Sequence, residues 1–236
     1  MQHFYLNLNL KLHQKIELTE ELRHQCINVL RYQNQQEIML IGNNQLKAQA
    51  SFNNTGDQCY FYVTSLIENP HPKFQIRLIV SLIKKERFEW MLQKASELGV
   101  TEIVPLISQR TQMHEHAKFE TKRDRYQKII QEACEQSEQF HCALLSTPIK
   151  IKEISQYKSD QNYLAYEREH SQSFKSMFRK DLSYTLVLGP EGGFSKDELE
   201  FLVENGFISV SLGNSIYRTE TAAIVFLSQL NLLVNS

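Results

Sequence analysis

A glycine-rich loop near the C-terminus carries the residues whose types and spacing best suit chemistry. Residues 186–195 read Leu-Val-Leu-Gly-Pro-Glu-Gly-Gly-Phe-Ser. Because glycine has no Cβ atom, the backbone N–H and C=O groups of such a loop can approach a flat ligand closely. Ser195 and Glu198 have the spacing of a capping box, so we predict that a helix begins directly after the loop. The segment is therefore a candidate ligand-binding turn between a strand and a helix.

The kind of ligand is narrowed by what the loop lacks. No Lys-Ser or Lys-Thr pair follows the glycines, as a Walker-type phosphate loop requires, and the spacing is not G-x-G-x-x-G. Ser195 also lacks the G-x-S-x-G setting of a hydrolase nucleophile. An ordinary strand-to-helix turn is the alternative, but three glycines and a proline within residues 189–193 favour a binding loop.

A second loop has the same setting later in the chain. Residues 210–213, Val-Ser-Leu-Gly, end a predicted strand, and residues 214–223, Asn-Ser-Ile-Tyr-Arg-Thr-Glu-Thr-Ala-Ala, lead into the last predicted helix. In open α/β sheets, ligands bind beyond the carboxyl ends of the strands, so the two loops could share one edge of a sheet. Arg218, Thr219 and Glu220 would then bring a cation, a hydroxyl and a carboxylate to one site. The alternative is a solvated helix cap.

Strands and helices alternate in the part of the chain that must position these loops. Apolar runs predict strands at residues 76–83, 103–107, 162–166, 184–188 and 208–212. Helical spacing of apolar residues predicts helices at 87–98 and 122–137, and a mostly apolar last helix at 222–234. Strands separated by helices imply right-handed parallel crossovers, so we predict an α/β fold with a parallel sheet.

The first seventy residues have a different pattern. Thr19 can cap a short helix from Glu20 to about Leu30. Candidate strands at residues 4–6, 37–41, 46–52 and 59–67 are separated by turn sequences, as in a small barrel. Prolines at Pro70 and Pro72 disfavour helix and mark a linker at residues 69–72. We therefore predict two domains, at residues 1–72 and 73–236.

Composition excludes several classes of protein. The 236 residues contain 26 Lys and Arg against 27 Asp and Glu, a net charge of −1, which argues against a protein that coats nucleic acid non-specifically. No run approaches the ~18 apolar residues of a membrane span, and the N-terminus lacks the pattern of a secretory signal. The four cysteines form no C-x-x-C pair and are expected to be reduced and mostly buried, which favours the cytoplasm. His114 and His116 lack further ligands at recognisable spacing, so no metal site is predicted.

Two other groups of residues have more than one interpretation. Lys84, Lys85 and Arg87 form a basic run that could either grip RNA or face water. Trp90 and Tyr126 are interpreted as packing residues rather than as platforms for stacked bases.

The combination of motifs resembles a known family. The two loops, Leu-Gly-Pro-Glu-Gly-Gly at residues 188–193 and Leu-Gly-x-x-Ile-x-Arg-Thr-Glu-Thr-Ala at 212–222, are similar to those of the SPOUT-class methyltransferases. Within that class they resemble the 16S ribosomal RNA uridine N3-methyltransferases. Three further stretches agree with this family: residues 93–100, 108–111 and 131–137. The resemblance covers nearly the whole chain.

The resemblance implies a fold, a cofactor and partners. The expected fold is a C-terminal trefoil-knotted α/β domain preceded by a PUA-like β-barrel domain that binds RNA. The expected cofactor is S-adenosylmethionine (SAM), and the expected partners are 16S ribosomal RNA, within the small ribosomal subunit, and a second copy of the chain in a homodimer. The positions matching the family's cofactor site are Leu188, Gly189, Pro190, Glu191, Gly192, Gly193, Leu212, Gly213, Ile216, Tyr217 and Arg218. Those matching its RNA-facing residues are Arg31 and Arg110.

The resemblance also suggests roles for two residues in catalysis. Arg218 is the candidate for stabilising the anion that develops on the uracil ring, or for anchoring a phosphate. Glu220 is the candidate general base or orienting group, although it could merely favour the N-terminus of a helix electrostatically. Two alternative functions stay open: methylation of a ribose 2′-hydroxyl in ribosomal or transfer RNA, and a non-catalytic RNA-binding factor.

Overall fold

The computed structural model describes residues 1–69, 75–111, 113–180 and 182–235. Contacts divide the chain into two units. The first comprises Met1–Pro72 and Cys134–Cys142, and the second comprises Lys73–Ala133 and Ala143–Ser236. Most of the predicted proline linker, residues 70–72, lies outside the described residues.

The first unit is built on a five-stranded sheet. Its strands are β1 (His3–Tyr5), β2 (Lys15–Glu17), β3 (Gln36–Ile41), β4 (Leu46–Asn54) and β5 (Cys59–Glu68). They lie in the order β1-β3-β4-β5-β2, with β1 parallel to β3 and the other neighbours antiparallel. Alternate residues of β4 and β5, such as Phe52, Phe61 and Val63, face one buried core, as a sheet with one solvated face requires. The strand β2 was not among the predicted elements.

A short helical segment follows β2. Thr19 accepts a hydrogen bond from the Leu22 backbone N–H at 3.3 Å, which confirms the predicted N-cap of α1 (Glu20–His24). Where one helix was predicted as far as Leu30, the chain instead widens into a π-helical turn at Gln25–Val29. The Leu30 N–H bonds to the Gln25 carbonyl, five residues back, which is the hydrogen bond that defines such a turn.

Residues 134–142 supply partners to the first unit. Oε1 of Glu135 accepts a hydrogen bond from the Tyr5 backbone N–H at 2.9 Å. The buried Nζ of Lys47 donates to the Glu138 carbonyl at 2.5 Å and lies 4.2 Å from the centre of the Phe140 ring. Burial lowers the pKa of the Lys47 ammonium, because the charged form loses water, while the nearby Glu138 carboxylate opposes that shift.

The second unit is a parallel sheet flanked by helices. Its strands are β6 (Ile76–Ser81), β7 (Glu102–Ile107), β8 (Leu144–Leu145), β9 (Ile149–Lys150), β10 (Gln161–Ala165), β11 (Tyr184–Leu188) and β12 (Ile208–Val210). Its helices are α2 (Lys85–Glu97), α3 (Met113–Ala117), α4 (Phe119–Gln136), α5 (Phe174–Met177), α6 (Lys196–Glu204) and α7 (Thr219–Asn235), with a 3₁₀ helix at Ile151–Tyr157. The predicted α/β fold with a parallel sheet is confirmed.

The strand order brings the ends of three strands together. The order is β12-β10-β11-β6-β7-β8, with β9 also paired to β7, and every pairing is parallel. Every residue of β11 is buried, as expected for a strand covered on both faces. Because β10 lies between β11 and β12, the loops that follow β11 and β12 emerge on either side of the end of β10. This edge of the sheet is where ligands bind in open α/β folds.

The helix α2 confirms most of its predicted apolar face. Phe88, Met91, Leu92 and Ala95 are buried, and Tyr126 of α4 packs against Phe88. The interpretation of Trp90 as a packing residue is wrong, because its side chain is 44% exposed. Trp90 is two residues from Phe88, and two helical residues turn through ~200°, so the two side chains point in opposite directions.

Two further features concern the state of the cysteines and the possibility of a membrane-spanning helix. Cys26, Cys59 and Cys134 are buried and Cys142 is half-buried, and all four are free thiols. Across the described ranges, each helix is too short or too polar to cross a membrane.

Candidate cofactor-binding site

The glycine loop after β11 takes a shape that side chains would obstruct. The Gly193 N–H bonds to the Pro190 carbonyl at 2.8 Å, and Gly193 has a φ of +69°, which L residues adopt only with strain. A Cβ atom at Gly193 would lie 3.2 Å from Oε1 of Glu167. A Cβ atom at Gly192 would lie 3.3 Å from Cδ of Arg110. The φ angle of Gly193 therefore favours glycine, and a side chain at Gly192 would require the Arg110 side chain to shift.

The predicted capping box at the start of α6 is confirmed and has an additional partner. Oγ of Ser195 accepts from the Glu198 N–H at 3.3 Å, and Oε2 of Glu198 accepts from the Ser195 N–H at 2.9 Å. Oε1 of the same buried carboxylate accepts from the backbone N–H of Gln109 at 2.7 Å. Glu198 therefore fixes the segment that carries Arg110 against the end of the glycine loop.

Arg110 reaches the glycine loop directly. Its guanidinium donates a hydrogen bond to the Gly192 carbonyl. The sequence identified Arg110 as an RNA-facing candidate, and the structure places it beside the predicted cofactor loop. Arg31, the other RNA-facing candidate, is exposed in the first unit and has a φ of +53°.

The second loop meets the first. Oγ1 of Thr219, at the start of α7, donates to the Gly189 carbonyl at 3.0 Å. The two motifs are thirty residues apart in sequence, yet this bond fixes them side by side at the carboxyl edge of the sheet. The expected meeting of the two loops at one edge is therefore observed.

A pocket that is partly open to solvent lies between the two loops and the end of β10. Its lining residues are Ala165, Tyr166, Glu167, Leu188, Gly189, Pro190, Gly193, Phe194, Ser211, Leu212, Gly213, Ser215, Tyr217, Thr219 and Ala222. Glu167 is the single charged side chain among them, so the wall is otherwise neutral.

The structure brings many, but not all, of the predicted cofactor residues to this pocket. Those that line it are Leu188, Gly189, Pro190, Gly193, Leu212, Gly213 and Tyr217. Glu191, Gly192, Ile216 and Arg218 lie outside the lining; the side chains of Ile216 and Arg218 are exposed to solvent. The candidate catalytic residue Glu220 also lies outside it, although it follows a lining residue, Thr219.

Sequence reasoning missed the contribution of β10. Ala165, Tyr166 and Glu167 form one wall of the pocket at the end of this strand. The strand itself was predicted, but its position beside β11 depends on the order of strands in the sheet, which no local pattern encodes. A parallel sheet places the ends of neighbouring strands at one edge, so the end of every predicted strand was a candidate.

An arginine that the sequence placed only in a basic run joins the two loops. The guanidinium of Arg87 donates to Oε1 of Glu191, and its Nε lies 3.7 Å from Oε1 of Glu220. Glu220 is buried, and its Oε2 has no hydrogen-bond partner among the described residues. Arg87 therefore pairs with acids of the site rather than forming part of a free basic surface.

Within the residues that the structure describes, no three His, Cys, Asp or Glu side chains are grouped so that they could hold a metal ion. The residues at this edge form a glycine-lined pocket in which Glu167 is charged, with Arg87, Glu191 and Glu220 beside it.

Comparison with known proteins agrees with this geometry. Residues 69–231 match the RNA methyltransferase domain family. The ribosomal RNA small subunit methyltransferase E of Rickettsia conorii is 31% identical over 97% of this chain and 94% of its own. The enzyme of the same name from Bacillus subtilis is 27% identical over 98% and 96%.

Solved structures share the fold over the whole length. The ribosomal RNA small subunit methyltransferase E of Neisseria gonorrhoeae, bound to SAM, has a TM-score of 0.86 and 27% identity, covering 99% of this chain and 98% of its own. A Legionella pneumophila methyltransferase in complex with SAM has a TM-score of 0.83 and 29% identity, covering 98% and 96%. With its parallel α/β sheet and these full-length relatives, the chain belongs to the RNA methyltransferase family that includes the ribosomal RNA small subunit methyltransferases E.

Proposed function

We propose that this protein transfers a methyl group from SAM to N3 of a uridine in the 16S RNA of the small ribosomal subunit. The observation that carries the proposal is the pocket formed where the two motif loops meet, joined by the bond from Thr219 to the Gly189 carbonyl. Relatives that cover nearly the whole chain bear the name of small-subunit ribosomal RNA methyltransferases, and two solved relatives hold SAM.

The pocket suits the chemical parts of SAM. Gly189, Pro190 and Gly193 line the pocket without long side chains, so a flat ring can approach the backbone closely, and the mostly neutral wall suits such a ring. The carboxylate of Glu167 supplies an acceptor in the same cavity. When bound, SAM supplies a methyl group on a sulfonium centre, which is already electrophilic. The remaining task of the protein is to position the acceptor and to manage its proton.

Arg218 and Glu220 are the residues we assign to that task. Uridine N3–H is a weak acid, so the attack on the methyl group is accelerated by removing the proton or by stabilising the ring anion. The exposed guanidinium of Arg218 can stabilise the anion or hold a phosphate of the RNA. Oε2 of Glu220 is a buried acceptor without a partner among the described residues, as expected for a group that awaits a donor.

The organisation of the whole chain follows from the same proposal. We assign residues 1–72 to a PUA-like RNA-binding barrel, on the basis of the five-stranded sheet, and residues 73–236 to a trefoil-knotted SPOUT domain. Arg31 and Arg110 are assigned to RNA contacts, and the active form is a homodimer working in the cytoplasm. N3 is paired in a duplex, so the target uridine must be unpaired or flipped out of its helix.

Nucleoside analysis of methylated RNA tests the proposal. The purified protein is incubated with SAM and with small ribosomal subunits, or free 16S RNA, that lack the modification. We expect 3-methyluridine at one position, identified by mass spectrometry of RNA fragments. A 2′-O-methylated nucleoside would replace the proposal with ribose methylation, and SAM binding without any methylated product on either substrate would contradict catalysis.

A further inference from the structure

Arg87 lies outside both motifs, yet it contacts an acid of each motif. It lies in the first turn of α2, which follows β6 at the edge of the sheet that carries the pocket. Its guanidinium donates to Glu191, and its Nε lies 3.7 Å from Glu220. The Arg87 side chain is about one-third exposed, at 32%, so it belongs to the rim of the site rather than to the core.

The two acids belong to the two different loops. Glu191 lies between Pro190 and Gly192 in the glycine loop, and Glu220 follows the Thr219 that ends the second loop. Several residues of each loop line the pocket. Without a cation between them, the two carboxylates would repel each other, which would favour separation of the loops. One guanidinium with five donors can satisfy both acids at once.

The burial of Glu220 makes this link more than a surface ion pair. Its side chain is 10% exposed and Oε2 has no partner in the described part of the chain, so the carboxylate depends on Arg87 for compensation of its charge. The 37% exposed side chain of Glu191 is far less dependent. Arg87 therefore helps to fix the position of Glu220 and, through Glu191, the conformation of the glycine loop.

We propose that Arg87 is a positioning residue that ties the two cofactor loops together and holds the Glu220 carboxylate in place for methyl transfer. This inference rests on the proposed function for its ligand, SAM, and adds a residue from outside both motifs. Arg87 does not line the pocket, so its effect on SAM acts through the loops that it joins.

SAM affinity measured by calorimetry, without RNA, tests the link in the full-length protein. Arg87→Ala is expected to weaken SAM binding about tenfold. Arg87→Lys should weaken it less, because lysine keeps the positive charge but lacks the planar guanidinium that can donate to both acids. Glu191→Gln removes the exposed partner without burying an unpaired charge, so it also covers the case in which Arg87→Ala fails to fold. If the two residues form one link, the loss in the Arg87→Ala, Glu191→Gln double variant is close to that of Arg87→Ala alone.

Arg125→Ala is the matched control. Arg125 forms a bidentate ion pair with Glu89, which lies on the same helix as Arg87. Neither Arg125 nor Glu89 lines the pocket. The SAM affinity of this variant should match that of the wild type, even where its thermal stability falls as much as that of Arg87→Ala. In methylation assays, Arg87→Ala should raise the KM for SAM, because the loops are no longer joined, and should also lower kcat, because the Glu220 carboxylate is no longer held in place.

Clear outcomes would overturn the inference. SAM affinity of Arg87→Ala within twofold of the wild type would reject it, as would fully additive losses in the double variant or an equal loss in Arg125→Ala. These readouts concern SAM alone. A wild-type protein that binds SAM but yields no 3-methyluridine would refute the proposed function and leave the loop linkage to be judged by its own measurements.

Discussion

At the scale of single residues, the glycine loop is where we expect a substitution to have the clearest effect on stability and binding. Gly193→Ala should lower the free energy of unfolding by about 1 kcal/mol or more, because an L residue is strained at the φ of +69°. Its Cβ atom would also press on Glu167 at 3.2 Å, which narrows the pocket, so SAM affinity should fall as well. Chemical denaturation and calorimetry measure the two effects separately.

Gly56→Ala separates backbone strain from the pocket. Gly56 has a similar φ of +88°, but a Cβ atom there would meet nothing within 4 Å. We expect this variant to lose a comparable amount of stability and to bind SAM as the wild type does. Equal SAM affinity in the Gly193 and Gly56 variants would contradict the location of the site.

Arg218 tests chemistry rather than binding. Its side chain is exposed and does not line the pocket, so Arg218→Ala should abolish methylation while weakening SAM binding only modestly. The measurement pairs a methyl-transfer assay on small ribosomal subunits with calorimetry of SAM binding. Full activity in this variant would reject the role assigned to Arg218.

At the scale of elements, an ion pair between α2 and α4 predicts a pH dependence. Arg125 donates to both carboxylate oxygens of Glu89, at 2.6 and 2.8 Å, and this bond lowers the pKa of Glu89 below its ordinary value of 4.5. A lowered carboxyl pKa stabilises the fold above the ordinary value, and the contribution disappears as pH falls through the lowered one. Arg125→Ala should therefore be less stable than the wild type near neutral pH, and the difference should vanish in acid.

Urea denaturation at about pH 7 and about pH 3 measures that difference. Glu89→Gln is the partner control, since it removes the same pair from the other side, together with the Lys85–Glu89 contact at 3.8 Å, and it should also be less stable than the wild type near neutral pH. A gap between wild type and Arg125→Ala that stays constant across this range would contradict the assignment of the pH dependence to Glu89.

Elements with strong local signals were predictable from sequence, and their arrangement was not. The strand at 184–188, the capping box at Ser195 and the apolar face of α2 each follow from neighbouring residues, and all are confirmed. The exposure of Trp90 follows from its spacing to the buried Phe88 on the same helix, whereas the π-helical turn at 25–29 depends on the wider packing. So does the wall formed by Glu167, because strand order decides which ends of strands become neighbours.

At the scale of the whole molecule, SAM should stabilise only part of the chain. A ligand that binds the folded state alone raises the free energy of unfolding, by about 2.7 kcal/mol at about 100 times its Kd. Amide hydrogen exchange should slow at residues 165–167, 188–194 and 211–222, which include the pocket wall. Residues 3–68 should exchange as before, and protection centred there would place the cofactor elsewhere.

Residues 134–142 belong to the first unit although they are distant from the rest of it in sequence, and this limits how the chain can be cut into fragments. A fragment cut after residue 72 would lack Glu135, which binds the Tyr5 amide, and the Glu138 carbonyl that holds the desolvated Lys47 amine. In such a fragment the Lys47 amine, which is buried in the whole protein, would be exposed to solvent. Gene fusions or domain exchanges must therefore transplant two separate stretches of chain, and a single recombination event cannot deliver the first unit intact.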